Sequence, residues 1–228
     1  MINKLKKDLR EKVTRPEKAK IMAGFFKTGK GQYGEGDIFL GVTVPDQRKI
    51  AKKYKDVNLK VIKELLSSKI HEERLTGLLI LLEKYKKNKK EIFEFYSKNI
   101  KYVNNWDLVD LTSHNIIGDY ILNKNKDLLY KLAKSKNLWK KRIAIVSTYK
   151  FIKNNKFQDT IKISEILIND KHDLIHKATG WMLREVGKRN LKLIETFLNK
   201  HHKKMPRTML RYTIEKFENN KKLFYMKK

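Results

Sequence analysis

The sequence predicts an all-α fold, on two positive observations and one absence. Apolar residues recur three and four positions apart, which places them on one face of a helix; the clearest set is Leu75, Leu78, Leu79 and Leu82. The chain has only three prolines, at positions 16, 45 and 206, so residues 46–205 lack this helix breaker. No stretch shows the sustained two-residue alternation that is typical of a half-buried strand.

Three segments resemble one another, and their spacing predicts a solenoid. Each has a basic residue in its first two positions, continues with small and apolar residues and ends in a break rich in Lys or Asn: residues 73–85 (ERLTGLLILLEKY), 141–152 (KRIAIVSTYKFI) and 176–188 (HKATGWMLREVGK). Arg74 and Arg142 are 68 positions apart, twice 34, and Lys177 follows Arg142 by 35. Helices around residues 107–121 and 207–217 complete the series. Such a period, with two helices in each unit, is typical of HEAT-like α-solenoids; a helical bundle without repeats is the alternative.

The breaks between these helices are short. Polar runs predict turns at residues 86–90, 123–127 and 154–155, none of them long enough for a domain linker. We therefore predict a single domain over residues 1–228, with an N-terminal helical segment at 1–27, a glycine-rich loop at 28–38 and repeats at 39–228. The chain starts without a signal-peptide core and has no apolar run of roughly 18 residues. We expect a cytoplasmic protein that does not engage a membrane.

The high positive charge of the chain indicates a polyanionic partner. Lys and Arg total 54 against 25 Asp and Glu, a formal net charge of +29, and basic side chains that neutralise phosphates release condensed counterions. AT-rich coding, which favours Lys, Ile and Asn, is the alternative source of this charge. There is no cysteine, which excludes a disulfide scaffold, a zinc ribbon, an iron–sulfur protein and a thiol nucleophile.

Two motifs lack the residues or the spacing that a nucleotide site or a zinc site needs. Residues 24–31 (GFFKTGKG) resemble a P-loop, but Gly31 stands where the Mg²⁺-binding hydroxyl belongs, and the preceding segment predicts a helix rather than a strand. His71, His201 and His202 lack the i,i+4 spacing of helix-borne zinc ligands. We predict no metal and no cofactor. The loop at residues 29–36 could lie along a phosphate backbone or be a plain connector.

Residues 104–110 (NNWDLVD) hold two carboxylates for which we predict different roles. Asn104 is a candidate N-cap, which makes Asp107 the third helical residue, where capping and the helix dipole favour a carboxylate. Asp110 is four residues after Trp106 and shares its face, on a stripe with Val109, Ser113 and Ile117. A carboxylate on a largely apolar face needs a partner, so Asp110 is either half of a structural ion pair or a functional group.

A second aromatic pair follows in a later repeat. Trp181 and Arg184 are three residues apart, so an indole and a guanidinium project together. If the repeats stack, these two residues, Trp106, Asp110 and Arg142 could share one concave surface; tryptophans stacked in the core are the alternative. We assign Trp139 to the core.

At these residues the chain resembles the AlkD-like DNA glycosylases, the alkylpurine-excising family built from HEAT-like repeats. Four segments in the family's order carry the resemblance, which covers nearly the whole chain from about Pro16: residues 39–48 (FLGVTVPDQR), 105–110 (NWDLVD), 138–144 (LWKKRIA) and 177–185 (KATGWMLRE). The resemblance implies a C-shaped α-α superhelix that clasps duplex DNA in a basic concave cleft. It implies excision of cationic alkylated purines such as N3-methyladenine and N7-methylguanine.

The resemblance also implies roles for individual residues. Asp110 matches the family's catalytic carboxylate, Trp106 and Trp181 its two cleft aromatics, and Arg142 the cleft arginine needed for excision. The implied DNA contacts are Arg184 on a phosphate, Thr43 and Arg48 near family contacts, and Phe25 at a position of a family aromatic that is elsewhere Tyr. We predict a monomeric, monofunctional glycosylase of the nucleoid that leaves an abasic site in base excision repair. The alternative is a non-catalytic basic HEAT-like scaffold that binds nucleic acid or an acidic partner.

Overall fold

The fold is described from a computed structural model, which covers residues 1–227. Within these residues the regular structure is helical, and the one β-type contact is an isolated parallel bridge between Ile38 and Ile70. The all-α prediction is confirmed. None of the helices in this range is long and apolar enough to cross a membrane. The chain divides into two compact units, Met1–Thr112 and a second from Ser113 onward, and each is described by itself; the single domain over residues 1–228 stays a prediction.

The first unit is built around one enclosed helix. Its elements are α1 (Ile2–Arg10), α2 (Glu17–Phe25), α3 (Val44–Lys53), α4 (Leu59–Leu66), α5 (His71–Tyr85), α6 (Lys89–Lys98), a 3₁₀ turn (Ile100–Tyr102) and most of α7 (Trp106–Ser113). Helices α3, α4 and α6 pack on α5. Residues 71–81 of α5 are therefore buried on every side, and not only on the face that the leucine spacing predicts.

The start of the chain differs from the prediction in one respect. The predicted helical segment at residues 1–27 forms two helices, with a break ahead of Pro16, whose ring excludes a continuous helix. The glycine-rich segment at residues 28–38 forms turns. Its glycine amides are held by side chains of the same loop: Gly29 donates to Gln32 and Gly31 donates to Glu35.

The second unit contains the later repeats. It comprises a π-helical turn (His114–Gly118), α8 (Asp119–Ile121), α9 (Asp127–Ala133), α10 (Leu138–Ser147), α11 (Tyr149–Lys153), α12 (Gln158–Leu167), α13 (Asp173–Gly187), α14 (Leu191–His201), α15 (Arg207–Thr213) and α16 (Asn219–Met226). Helix α10 packs on α9 and α13, and α13 packs on α15. Gly180 permits the last contact, because a Cβ on it would lie 2.5 Å from the Met209 carbonyl oxygen.

The predicted repeat helices correspond to α5, α10 with α11, α13 and α15, and the predicted turns fall between helices. Two breaks were missed. The predicted helix at residues 141–152 is interrupted at Thr148, whose hydroxyl donates to the Ile145 carbonyl at 2.6 Å and so competes with helical pairing. The helix around residues 107–121 changes to π-helical pairing at His114.

Candidate nucleic-acid site

A buried carboxylate shapes the segment that carries the first two candidate DNA contacts. Glu72 is completely buried, and its carboxylate accepts hydrogen bonds from the amides of Leu40 at 3.0 Å, Gly41 at 2.8 Å and Val42 at 3.3 Å. Gly41 has a φ of +90°, a conformation that non-glycine residues rarely adopt. The charge on Glu72 therefore fixes the extended segment that leads into α3.

Helix α3 presents Thr43 and Arg48. Thr43 is its N-cap: the side-chain oxygen accepts from the Asp46 amide at 3.4 Å, and the hydroxyl donates to the Asp46 carboxylate at 2.7 Å. The Thr43 hydroxyl thus both donates and accepts a hydrogen bond within the cap, so the structure gives Thr43 a capping role beside any contact with DNA. Arg48, one turn further along α3, is exposed to solvent.

Next to this segment lies a buried network of charged groups. His71 donates from Nδ1 to Asp37 at 3.1 Å and from Nε2 to Asp107 at 2.7 Å. Arg74 donates to the same oxygen of Asp37 at 2.6 Å, and the Asn105 amide donates to it at 3.3 Å. An imidazole with a carboxylate at each nitrogen carries both protons, so the network pairs two positive groups with two negative ones.

The titration of the network follows from these contacts. Burial by itself would lower the pKa of His71, but the hydrogen bonds to Asp107 and Asp37 outweigh it, and the pKa is raised above its usual value. Burial would raise the pKa of Asp37, yet the hydrogen bond from His71 and the charge of Arg74 hold it below its usual value. The contacts of the network therefore favour the charged form of both residues.

The structural role predicted for Asp107 is confirmed, but its helix begins one residue later than predicted. Helix α7 begins at Trp106, and Asn105 precedes it, with its side-chain oxygen accepting from the Trp106 amide at 2.8 Å. The prediction that Asn104 is the cap is wrong: among residues 1–227 its side-chain oxygen finds no hydrogen-bond partner. Asp107 is the second helical residue, is 9% exposed, and accepts from the Leu108 amide besides binding His71.

A stack of aromatic rings joins this network to Trp106. Phe39 stacks on His71 with 4.6 Å between ring centroids, Phe26 stacks on Phe39 at 4.9 Å, and Phe26 stacks on Trp106 at 4.9 Å and 7°. Phe25 meets the same indole edge-on at 5.8 Å and is 64% exposed. One face of Trp106 thus packs against Phe26, and the exposed Phe25 ring extends the aromatic surface.

Asp110 lies one turn after Trp106 on α7. Val109, which flanks it, is buried, as are Ser113 and Ile117 from the same predicted stripe, whereas Trp106 and Asp110 are both partly exposed. Asp110 therefore lies at the edge of the buried face, on the same side of the helix as Trp106.

In the second unit, Arg142 is the most enclosed of the candidate site residues. It is 5% exposed, and its Nη1 donates to the Leu174 carbonyl in the first turn of α13 at 2.5 Å. Trp181, on α13, is partly exposed and lies 5.7 Å from the Tyr149 ring. Trp139 is 8% exposed, which confirms the core assignment.

Arg184 is engaged by acidic neighbours. Its Nη1 is hydrogen-bonded to Glu215, and its Nε lies 3.6 Å from the Glu185 carboxylate. A phosphate on Arg184 would compete with the exposed Glu215 side chain. The structure thus groups Phe25, Trp106 and Asp110 in the first unit, and Arg142, Trp181 and Arg184 on α10 and α13 in the second; the convergence of the two groups on one cleft stays a prediction.

The sequence prediction missed the residues that hold Trp106 in place. These are Asp37, His71, Phe26 and Phe39. The adjacent pair of phenylalanines before the loop was the available signal, because two large apolar side chains beside a glycine-rich segment need something to pack on. Across residues 1–227 no cluster of three or more His, Cys, Asp or Glu side chains is arranged to hold a metal ion.

The fold and the site define a helical-repeat protein with a partly exposed tryptophan and a partly exposed aspartate one helical turn apart. The chain belongs to the DNA alkylation repair enzyme family, whose sequence model matches residues 5–217. A solved structure described as "Predicted DNA alkylation repair enzyme from Enterococcus faecalis" is similar over 90% of this chain and 97% of that one, with a TM-score of 0.73 and 16% identity. At this identity the likeness shows the helical-repeat fold. A search of curated proteins found no match.

Proposed function

We propose that this protein is a monofunctional DNA glycosylase that excises cationic alkylated purines, such as N3-methyladenine and N7-methylguanine, from duplex DNA. The observation that carries the proposal is the position of Asp110, a partly exposed residue one turn after Trp106, whose indole stacks on Phe26. Membership of a DNA alkylation repair family supports it. We further propose that it acts as a monomer on nucleoid DNA in the cytoplasm, with no metal or cofactor.

The proposed chemistry needs one negative charge. A purine alkylated at N3 or N7 is positively charged and leaves without protonation, so the bond from C1′ to the base breaks with oxocarbenium character on the sugar. Asp110 stabilises that charge and orients the attacking water. One such pair about 4 Å apart, at an effective dielectric near 20, is worth about 4 kcal/mol, or roughly a thousandfold in rate if it acts mainly in the transition state.

The aromatic residues act on the cation. The exposed faces of Trp106 and Trp181 can each stabilise the alkylated base or the developing sugar cation by about 0.5–2 kcal/mol. Thr43, Arg48 and Arg184 contact the DNA backbone, with Phe25 against the sugar or base. Arg142 acts from its buried position on the Leu174 carbonyl, where it fixes the first turn of the helix that bears Trp181.

The test is release of methylated purine from methylated duplex DNA, with chromatographic identification of the free base and detection of the abasic site. We expect Asp110→Asn to lose most of the activity and to bind DNA nearly as well as the wild type. Asp56→Asn, at an exposed position of the same unit, is the matched control and keeps full activity.

Three results would contradict the proposal. The first is a wild-type protein that binds DNA with a steep salt dependence but releases no base, which is the behaviour of a non-catalytic scaffold. The second is a fully active Asp110→Asn variant. The third is cleavage of the DNA strand without added alkali, which would indicate a lyase rather than a monofunctional enzyme.

A further inference from the structure

Two aromatic rings beside Trp181, those of Tyr149 and His114, are not used by the proposed chemistry. Helix α10 ends at Ser147 and α11 begins at Tyr149. The Tyr149 ring lies 5.7 Å from the Trp181 indole, inclined by 41°, and 5.3 Å from the His114 imidazole, which it meets edge-on. Tyr149 and Trp181 are both partly exposed, so the two rings form a continuous surface next to the solvent.

A positive charge lies over this surface. Lys153 is one turn after Tyr149 on α11, is exposed, and places its Nζ 4.5 Å from the centre of the Tyr149 ring. Among the described residues no carboxylate lies within ion-pair distance of Lys153, whereas the neighbouring Lys150 is paired with Asp119 at 2.7 Å. The ammonium of Lys153 therefore keeps its capacity to bind an anion.

The third ring contributes no charge. Burial, then Lys153 and Lys150, lowers the pKa of His114 to about 4, so its imidazole is neutral at physiological pH. It packs on the edge of Tyr149 and supports that ring without adding to the local charge. The surface thus consists of two exposed aromatic rings and a single ammonium group.

This combination selects the chemistry of a nucleotide. Flat aromatic faces stack on nucleobases of any sequence, and an adjacent cation pairs with the phosphate. A carboxylate-bearing peptide would use the ammonium but would leave the rings without a partner. We propose that Tyr149 and Lys153, together with Trp181, form a binding subsite for one unstacked nucleotide of the DNA, with its base on the rings and its phosphate on Lys153. This inference rests on DNA being the substrate.

The experiment measures binding by fluorescence anisotropy, using a labelled duplex with a tetrahydrofuran abasic-site analogue at its centre. Stacking on an aromatic side chain is worth about 1–3 kcal/mol, so we expect Tyr149→Leu to weaken binding by about fivefold or more. Tyr149→Phe keeps the ring and the affinity. Both variants retain a side chain of similar bulk against Trp181, and their melting curves are recorded alongside.

The charge is tested separately. Lys153→Gln should reduce the slope of log K against log salt by about 0.9, the value of one phosphate contact. Lys162→Gln, at an exposed position on α12, is the matched control and leaves the slope unchanged. Because Lys153 is on the surface, its replacement tests the subsite even if a Tyr149 variant fails to fold.

The outcomes separate this inference from the proposed function. A wild-type protein that releases no base but shows these losses of affinity keeps the nucleotide subsite and loses the glycosylase. An active enzyme in which Tyr149→Leu binds like Tyr149→Phe, or in which Lys153→Gln behaves like Lys162→Gln, keeps the glycosylase and overturns the subsite.

Discussion

Two aspartates on one helix give the sharpest prediction, because they differ in burial and the proposed function gives them different roles. Asp107 is buried and bonded to His71, whereas Asp110 is partly exposed one turn after Trp106. Replacing each with asparagine removes the charge and keeps the shape. We expect Asp107→Asn to cost stability and Asp110→Asn to cost catalysis.

The magnitude for Asp107 follows from its burial. Removing one partner of a buried ion pair costs about 3–5 kcal/mol, because the remaining charge stays desolvated. The amide oxygen of an asparagine can still accept the Nε2 proton of His71, so we expect the lower value, about 3 kcal/mol. Each kcal/mol lowers Tm by roughly 2–4 °C in a chain of this size. For Asp110→Asn we expect a change in the free energy of unfolding below about 1 kcal/mol, as for other partly exposed ionic groups.

The assay combines urea unfolding with single-turnover base release, each measured on both variants at a temperature where both are folded. The expected pattern is a lower urea midpoint with near wild-type chemistry for Asp107→Asn, and the reverse for Asp110→Asn. The reasoning is refuted if Asp107→Asn unfolds like the wild type, or if the two variants lose the same fraction of activity.

Three further predictions concern the scaffold. The pKa of His71 is raised from 6.5 and that of Asp37 is lowered from 3.8, so the contribution of His71 to stability is complete below pH 6.5 and lost as the pH rises through its folded value. The stabilising contribution of Asp37 is complete above pH 3.8 and is lost as the pH falls through the pKa of Asp37 in the folded protein. The urea midpoint should therefore decrease on both the acid and the alkaline side, and His71→Gln should reduce the decrease on the alkaline side. Glu72→Gln should lower the free energy of unfolding by about 2–3 kcal/mol, since a neutral amide replaces a charged acceptor of several backbone amides. Glu64→Gln, at an exposed position, should leave the free energy of unfolding unchanged in the same assay. Gly180→Ala should cost about 1–3 kcal/mol, whereas Gly24→Ala, with no atom within 4 Å of the new Cβ, should be neutral or stabilising; equal melting temperatures for these two variants would contradict the packing described for α13.

The helices were predictable because their signal is local. Apolar spacing within one turn or two marks each repeat helix, and the repeated segments align α5, α10 and α13 without any knowledge of contacts. The core position predicted for Trp139 is likewise confirmed by its burial.

The network around His71 was not predictable, because it joins residues far apart in sequence. Asp37 lies in a loop, His71 begins α5, and Asp107 is the second residue of α7. Helical spacing does not indicate which helix ends meet. In the sequence, His71 stands beside two glutamates, a pattern that suggests only a candidate metal ligand. Asp107 was placed correctly as structural on capping grounds, but its partner became visible only in three dimensions.

The break at Thr148 escaped prediction for a different reason. Threonine is tolerated within helices, and its hydroxyl takes a backbone carbonyl only where the surrounding packing allows it. The interruption directly precedes Tyr149, a residue of the proposed nucleotide subsite.

The central claim is that Asp110 supplies the charge that breaks the glycosidic bond. It is tested most directly by the single-turnover rate of base release from methylated duplex DNA at saturating protein, for the wild type and for Asp110→Asn. We predict a rate reduced by roughly a thousandfold with a dissociation constant for the duplex that stays within about threefold. A rate within tenfold of the wild type, at unchanged affinity, would contradict the claim.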